Sequence, residues 1–197
     1  MNNKKLIAID FDDTICNTTK FMLKVANNTF NGIKKSYNEL THEKYLTVDF
    51  GLKLEDTLPI LDKILLNENF VKNCDPIKWS QEKIFKWKEL WHKLVILTWR
   101  PEDIQYYRTK RRIDKYFPKI FDKIIFSANI EKNYSRKKSE ICKRDWIEIL
   151  IDDMTKNVEN LKDVWTKWFL INTPRNKNYQ TDNIWIKKIN KWNEIEI

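Results

Sequence analysis

Residues 6–14 read Leu6-Ile7-Ala8-Ile9-Asp10-Phe11-Asp12-Asp13-Thr14. Four consecutive apolar residues are typical of a strand that is buried on both faces, as in a parallel sheet. Acidic residues follow at once, so we expect Asp10 and Asp12 at the carboxyl edge of that sheet, where open α/β folds bind ligands. The segment therefore predicts an α/β fold with a polar site directly after its first strand.

Four more apolar runs have the same character and predict further buried strands. They span residues 94–97, 124–126, 147–151 and 168–171. Three helices are predicted between and after these runs. Pro101, followed by Glu102 and Asp103, predicts the start of the first. Thr155 predicts the start of a second that ends at Leu161, and Thr181 or Asp182 the start of a third that ends at Trp192. This alternation predicts a doubly wound, Rossmann-like parallel α/β sheet.

The interval 18–76 breaks the alternation, because it contains no convincing buried strand. Apolar residues recur there at helical spacing in two stretches, Phe21, Met22, Val25, Ala26 and Phe30, and then Leu54 to Leu65. We interpret residues 18–76 as a small helical cap inserted after the first strand of a core formed by residues 1–17 and 77–197. Since the cap begins directly after the acidic loop, we expect it to cover the site.

Composition restricts the class of protein. Of 197 residues, 42% are hydrophobic, which argues against a disordered chain. No apolar run approaches the roughly 20 residues of a membrane helix, so no membrane partner is expected. The three cysteines, Cys16, Cys74 and Cys142, lack metal-site spacing and favour a reducing cytoplasm.

The net charge of +9 has two interpretations. An excess of Lys and Arg favours a partner rich in phosphate, from a nucleotide to a nucleic acid. The same excess, with abundant Asn and Ile and only two glycines, is also what an AT-rich genome would produce. Charge alone does not decide between them.

A second acidic pair, Asp152-Asp153, directly follows the apolar run 147–151. Adjacent like charges repel each other unless a cation or water separates them. Because both acidic segments end predicted parallel strands, together they supply the hard oxygen ligands that Mg²⁺ prefers. The sequence therefore predicts one Mg²⁺ site.

Two further segments suit a phosphate group. Thr98 and Trp99 directly follow the apolar run 94–97, just before a predicted helix. The Thr98 hydroxyl and the backbone N–H groups at a helix start are suited to bind a phosphate. Lys138 begins a helical stretch upstream of Asp152 and offers a cation, and Lys137 and Lys143 remain alternatives for this lysine. We expect a phosphate at the same edge of the sheet as the acids.

Taken in this order, the four segments resemble the motifs of the haloacid dehalogenase (HAD) superfamily of aspartate-nucleophile phosphatases. Within it, the chain is most similar to 5′(3′)-deoxyribonucleotidase-like proteins, through Ile-Asp-Phe-Asp-Asp-Thr, the T-x-R-P form at Thr98 to Pro101, and the loop from Asn172 to Asn176. The chain departs at Trp99, where those proteins usually carry a small residue.

The resemblance implies a mechanism. Asp10 would attack phosphorus and form an aspartyl-phosphate, and Asp12 would protonate the leaving group and then activate water. Mg²⁺ would be held by Asp10, the Asp12 carbonyl and Asp152, with Asp153 acting directly or through water.

Thr98, the Trp99 amide and Lys138 would hold the phosphoryl oxygens. The expected function is Mg²⁺-dependent hydrolysis of a small phosphomonoester, a nucleoside monophosphate. Two alternatives stand beside it: a polynucleotide end-processing 3′-phosphatase, whose nucleic-acid substrate would meet the positive charge, and a non-catalytic binding protein that keeps only the fold.

Overall fold

The computed structural model describes residues 4–29, 34–53, 55, 57, 75–158 and 165–197. Several residues of the sequence predictions lie outside the described residues. They are Phe30, the apolar residues expected to form the second helix of the cap, Cys74, and the end of the predicted helix at Leu161.

Among the described residues, seven strands form one sheet. They are β1 (Leu6–Ile9), β2 (Lys93–Pro101), β3 (Lys123–Asn129), β4 (Tyr134–Ser135), β5 (Ile149–Asp152), β6 (Lys167–Ile171) and β7 (Ile186–Ile189). Their order is β4-β3-β2-β1-β5-β6-β7, and β4 alone among these strands pairs antiparallel. The chain moves from β1 outward to β3 and then returns to β5 on the other side of β1, which confirms the doubly wound α/β fold.

The central strands are buried on both faces. Ile7 and Ile9 belong to a cluster on one face, whereas Ala8 belongs to a second cluster on the other face. All three side chains are fully buried. Both faces therefore need apolar residues, which explains why these strands read as unbroken apolar runs.

Six helices pack around the sheet in the described part of the chain. They are α1 (Thr18–Thr29), α2 (Tyr45–Val48), α3 (Ser80–Glu89), α4 (Glu102–Tyr116), α5 (Lys138–Arg144) and α6 (Thr155–Val158). Helix α4 begins directly after Pro101 with Glu102 and Asp103 in its first turn, as predicted, and α6 begins at the predicted Thr155. Acids in a first turn interact favourably with the exposed backbone N–H groups.

The predicted helix from Thr181 or Asp182 to Trp192 is wrong. Residues Ile186–Ile189 form β7, and a single 3-10 turn follows at Trp192–Glu194. The open edge of β6 offers parallel hydrogen bonds to this segment, and the Trp192 indole donates to the Thr14 carbonyl at 2.8 Å. Strand pairing and burial outweigh a weak local preference for helix.

The described part of the interval 18–76 packs directly on the α/β core. Helix α1 occupies the first predicted helical stretch. Seven buried residues of the described interval join the same apolar cluster as Ile7 and Ile9, namely Met22, Leu23, Ala26, Leu40, Tyr45, Leu46 and Phe50. This packing brings the described part of the interval to the carboxyl side of β1.

Two smaller observations bear on the environment of the protein. None of the described helices combines the length and apolar character needed to cross a bilayer. Cys142 is a buried free cysteine, whereas Cys16 is disulfide-bonded, so the cysteines do not by themselves argue for a reducing compartment.

Candidate active site

Strands β1 and β5 lie side by side, as the two acidic strand ends predicted. Ile9 is in register with Ile151, and the Asp10 amide donates to the Ile151 carbonyl at 2.9 Å. Carboxylate oxygens of Asp10, Asp152 and Asp153 consequently lie within 4.8 Å of one another, and all three residues are buried. This is the arrangement expected at the topological switch point of a doubly wound sheet.

Lys138 joins the two strand ends from the start of α5. Its Nζ donates to Asp10 Oδ1 at 2.5 Å and to Asp152 Oδ2 at 2.7 Å, and its side chain is buried. Lys137 and Lys143, the two alternatives, are exposed. Burial alone would lower the pKa of Lys138, but the two carboxylates raise it, so its positive charge is retained.

The basic side chains at this site do not fully offset the cost of burying the carboxylates. Burial, together with the negative charges of Asp152 and Asp12, raises the pKa of Asp10 to about 7 against the attraction of Lys138. Burial likewise raises the pKa of Asp153 well above its ordinary value, against the attraction of Arg175. A raised carboxyl pKa means that the fold disfavours the ionised form as it stands.

The donor set fits Mg²⁺. Five acidic side chains stand against three basic ones at this edge: Asp10, Asp12, Asp13, Asp152 and Asp153 against Arg100, Lys138 and Arg175. Two negative charges remain, which one divalent cation would neutralise. Carboxylate oxygens are the ligands that Mg²⁺ takes most readily in proteins.

Asp12 faces a different partner, Arg100. The guanidinium of Arg100 donates through Nε to Asp12 Oδ2 at 2.8 Å and through a second nitrogen to Oδ1 at 2.6 Å, and the Thr18 hydroxyl donates to Oδ1 at 2.5 Å. Burial would raise the pKa of Asp12, but the charge and hydrogen bonds of Arg100 lower it below its ordinary value. Sequence analysis named no role for Arg100, although the T-x-R-P form contains it.

Arg175 forms ion pairs with two other acids at this edge, Asp13 and Asp153. It donates to Asp13 Oδ2 and to Asp153 Oδ2, each at 2.6 Å, and all three side chains are almost fully buried. The adjacent Asn176 amide donates to the carbonyls of Asp153 and Ile171, each at 2.8 Å. The loop after β6 therefore fixes the acidic ends of both β1 and β5, a role that the sequence did not indicate.

The segment predicted to bind phosphate is split between interior and surface. Thr98 is fully buried, and its hydroxyl accepts a hydrogen bond from the Arg100 amide at 3.3 Å. Trp99 is 59% exposed and lies on the wall of the cavity above the acids. Its indole N–H donates to Ser135 Oγ at 3.2 Å, which holds the ring in place.

A cavity of about 610 Å³ opens above this cluster. Asp10, Asp12 and Lys138 form part of its lining, and residues of the interval 18–76, among them Glu43 and Tyr45, line it too. Glu43 accepts hydrogen bonds from the Thr155 amide at 2.5 Å and hydroxyl at 2.7 Å. Described residues of the interval and of the α/β core thus line one open cavity of the size that small ligands occupy.

Several solved structures with this architecture are described as phosphatases or hydrolases. A protein described as a predicted phosphatase from Clostridium acetobutylicum is 14% identical, with a TM-score of 0.61 over 87% of each chain. A HAD-family hydrolase from Deinococcus radiodurans with bound phosphate and sodium is 10% identical, with a TM-score of 0.59 over 85% of this chain and 80% of that one. The fold is that of the HAD phosphatases and hydrolases.

Protein tyrosine kinase A from Mycobacterium tuberculosis also shares the fold, with 9% identity and a TM-score of 0.70 over 98% of this chain and 96% of that one. No protein-family model and no curated protein sequence matches the chain. At these identities the likenesses concern the fold, and the chemistry must be argued from the side chains at the sheet edge.

Proposed function

We propose that the protein is a Mg²⁺-dependent phosphomonoester hydrolase that uses Asp10 as its nucleophile and acts on nucleoside monophosphates. The observation that carries this proposal is the meeting of Asp10, Asp152, Asp153 and Lys138 beneath one cavity. A protein that only bound a ligand would have no need to bury three carboxylates around one point, since burial of each costs free energy.

Asp10 is the nucleophile in this proposal because its carboxylate lies at the cavity floor, fixed by the Lys138 ammonium. An oxygen of Asp10 attacks phosphorus, the bond from phosphorus to the ester oxygen breaks, and an aspartyl-phosphate forms. The leaving oxygen receives a proton from Asp12. Water, deprotonated by Asp12, then attacks phosphorus and releases inorganic phosphate and free Asp10.

Arg100 orients Asp12 for these proton transfers. Its two hydrogen bonds fix both carboxylate oxygens of Asp12 and favour the ionised form, which is the form that accepts a proton from water in the second step. Asp12 must therefore take up a proton when substrate binds before it can protonate the leaving oxygen in the first step. Arg100 is a positioning residue in this scheme, since it lies against Asp12 rather than at the reacting phosphorus.

The metal would be held by Asp10, Asp152, the Asp12 carbonyl and Asp153, the last directly or through water. When bound, Mg²⁺ supplies neutralisation of the charge on the phosphoryl oxygens, which allows an anionic nucleophile to approach an anionic ester. Lys138, the Trp99 amide and Thr98 are the groups proposed to hold the remaining phosphoryl oxygens.

The cavity supports a small substrate. Its volume of about 610 Å³ suits a mononucleotide, and residues 18–76 contribute part of its wall. We infer that these residues are a cap over a core of residues 1–17 and 77–197, and that a closed cap excludes water and polymers alike. A cytoplasmic location would give such an enzyme its nucleotide substrates.

The test compares kcat/KM for the deoxynucleoside monophosphates with that for a 3′-phosphorylated oligonucleotide, with Mg²⁺ and with a chelator. We expect the mononucleotides to be favoured by at least tenfold and the chelator to abolish turnover. An oligonucleotide that is favoured by tenfold would instead establish the end-processing function. Absence of turnover for these substrates and for an aryl phosphate would indicate a non-catalytic binding protein.

Asp10→Asn serves as the nucleophile control in the same assay. It keeps the size and polarity of the side chain but removes the attacking charge, so we expect kcat to fall by roughly 10³-fold or more. Asp114→Asn, an exposed acid on α4, is the matched control and should stay within about twofold of wild type. Near-wild-type kcat in Asp10→Asn would exclude the mechanism.

A further inference from the structure

A second cavity, of about 260 Å³, adjoins the one above the acidic cluster. The two cavities share four lining residues, Trp99, Lys138, Lys156 and Asn157. The second cavity is completed by Ser135, Arg136, Lys137 and Ser139, at the end of β4 and the start of α5. No step of the proposed hydrolysis uses it.

The lining of this second cavity is basic. Arg136, Lys137 and Lys156 contribute positive charge, and no acidic side chain occurs among its described lining residues. Lys138 also reaches it, but its ammonium is already bound by Asp10 and Asp152. Within the described ranges, neither Arg136 nor Lys137 forms an ion pair with a carboxylate. Such a concentration of like charge attracts an anion.

Trp99 forms the wall between the two cavities, since it lines both. The ring is held at one edge by its hydrogen bond to Ser135, and the Lys156 ammonium lies 5.4 Å from its centroid. With 59% of the residue exposed, the ring offers an apolar surface between the acidic cluster and the basic cavity. Aromatic surfaces of this kind stack on nucleobases.

We propose that the basic cavity binds a second phosphate of the substrate, while the nucleoside that joins the two phosphates lies against Trp99. This proposal rests on the proposed function, because the first phosphate is the one placed at Asp10. The substrate class would then be a nucleoside bisphosphate or, under the end-processing alternative, a phosphorylated nucleotide that continues into a phosphodiester. In both, the feature recognised is a second phosphate one nucleoside away from the first.

The charge distribution explains why a second phosphate would be recognised at this place. A phosphate accepts charge-assisted hydrogen bonds from guanidinium and ammonium groups, which are stronger than neutral hydrogen bonds. Arg136 and Lys137 are exposed and adjacent in sequence, so both can reach one anion at the mouth of the cavity. A substrate with a single phosphate would leave Arg136 and Lys137 in contact with solvent only.

The test measures binding by calorimetry in the Asp10→Asn background, which prevents turnover. Thymidine 5′-monophosphate is compared with thymidine 3′,5′-bisphosphate and with a 5′-phosphorylated thymidine dinucleotide. We expect at least one of the two doubly charged ligands to bind about tenfold or more tightly than the monophosphate. Arg136→Gln/Lys137→Gln should bring that margin close to one.

The matched control is Lys86→Gln/Lys187→Gln, which removes the same charge at two exposed lysines outside both cavities and should keep the margin. A margin near one in the parent, or an unchanged margin in Arg136→Gln/Lys137→Gln, would overturn the proposal. A gain for the dinucleotide alone would support a second-phosphate site that serves a polynucleotide, and it would favour the end-processing function over hydrolysis of mononucleotides. Tight bisphosphate binding without hydrolysis by the wild-type protein would contradict the proposed function but not this site.

Discussion

Arg175 and Asp153 illustrate how single buried charges are held at the sheet edge. The guanidinium bridges Asp153 and Asp13, and each of the three side chains is less than a tenth exposed. Ion pairs in such surroundings gain little net stability over apolar residues, because both partners lose their hydration. Removal of one partner is a different matter, since the other charges then remain buried without compensation.

Arg175→Gln is therefore expected to destabilise the protein by about 3–5 kcal/mol, measured as the free energy of unfolding in urea. Arg144→Gln is the control, because Arg144 pairs with Asp145 at the surface with about half of its side chain exposed. Such a pair contributes roughly 0–1 kcal/mol. A loss below 1 kcal/mol in Arg175→Gln would mean that Asp13 and Asp153 find other partners or stay protonated.

Single residues also differ in whether their partners can be predicted from the sequence. Asp10, Asp152 and Asp153 could be predicted as neighbours, because each follows an apolar run and the ends of parallel strands share one edge. Arg100 and Arg175 could not, because an arginine is common on any surface and its partner depends on how two distant loops meet. Trp99 was expected beside the phosphate, but the sequence gives no sign of the hydrogen bond that fixes it to Ser135.

At the scale of elements, α6 and the segment before α2 meet through one acid. Glu43 accepts two hydrogen bonds from Thr155, the first residue of α6, and thereby joins the interval 18–76 to the strand end that carries Asp152. A carboxylate at the first turn of a helix also interacts favourably with its free N–H groups. Glu43 thus determines how closely the interval lies over the cavity.

Glu43→Ala should lower kcat/KM for a mononucleotide by about tenfold, because the two charge-assisted hydrogen bonds that hold this wall are lost. Glu43→Gln keeps one acceptor and should lose less. Glu89→Ala, at the exposed end of α3, is the control. Equal activity in Glu43→Ala and the control would show that the wall closes without this contact.

The elements differ in how well the sequence predicts them. The five apolar runs all became strands, since a parallel sheet imposes the same burial on every residue of a central strand. Strand β7 differs from the predicted helix because its sequence, Ile186 to Ile189 with two lysines between, suits either structure. Residues 186–189 form a strand because the free edge of β6 offers them hydrogen bonds, and the local sequence gives no indication of that edge.

At the scale of the whole molecule, the acidic edge couples folding to pH and to metal. Asp10 has a pKa of about 7 in the folded chain, chiefly because of burial, against an ordinary value of 3.8. Over that interval the folded state binds more protons than the unfolded state, so the free energy of unfolding falls as pH rises. A cation bound at Asp10 would reverse this loss, because it stabilises the ionised form.

We therefore expect Mg²⁺ to raise the Tm more at pH 8 than at pH 6, since its ligands must be deprotonated. Calorimetry of the chelator-treated protein with and without Mg²⁺ measures both shifts. Asp10→Asn should show almost no Mg²⁺ effect at either pH. A shift of equal size at both values would place the ion elsewhere.

The two outer strands of the sheet differ from its interior. Strand β4 has only two residues, and it pairs with the end of β3 at Ala128 and Asn129. On the opposite side, β7 exposes Lys187, while the Lys188 ammonium donates to the carbonyls of Asn176, Lys177 and Tyr179. A short strand and a charged one are poor templates for another chain. Edge-to-edge growth into dimers or fibrils is thereby disfavoured, and any self-association must use a different face of the protein.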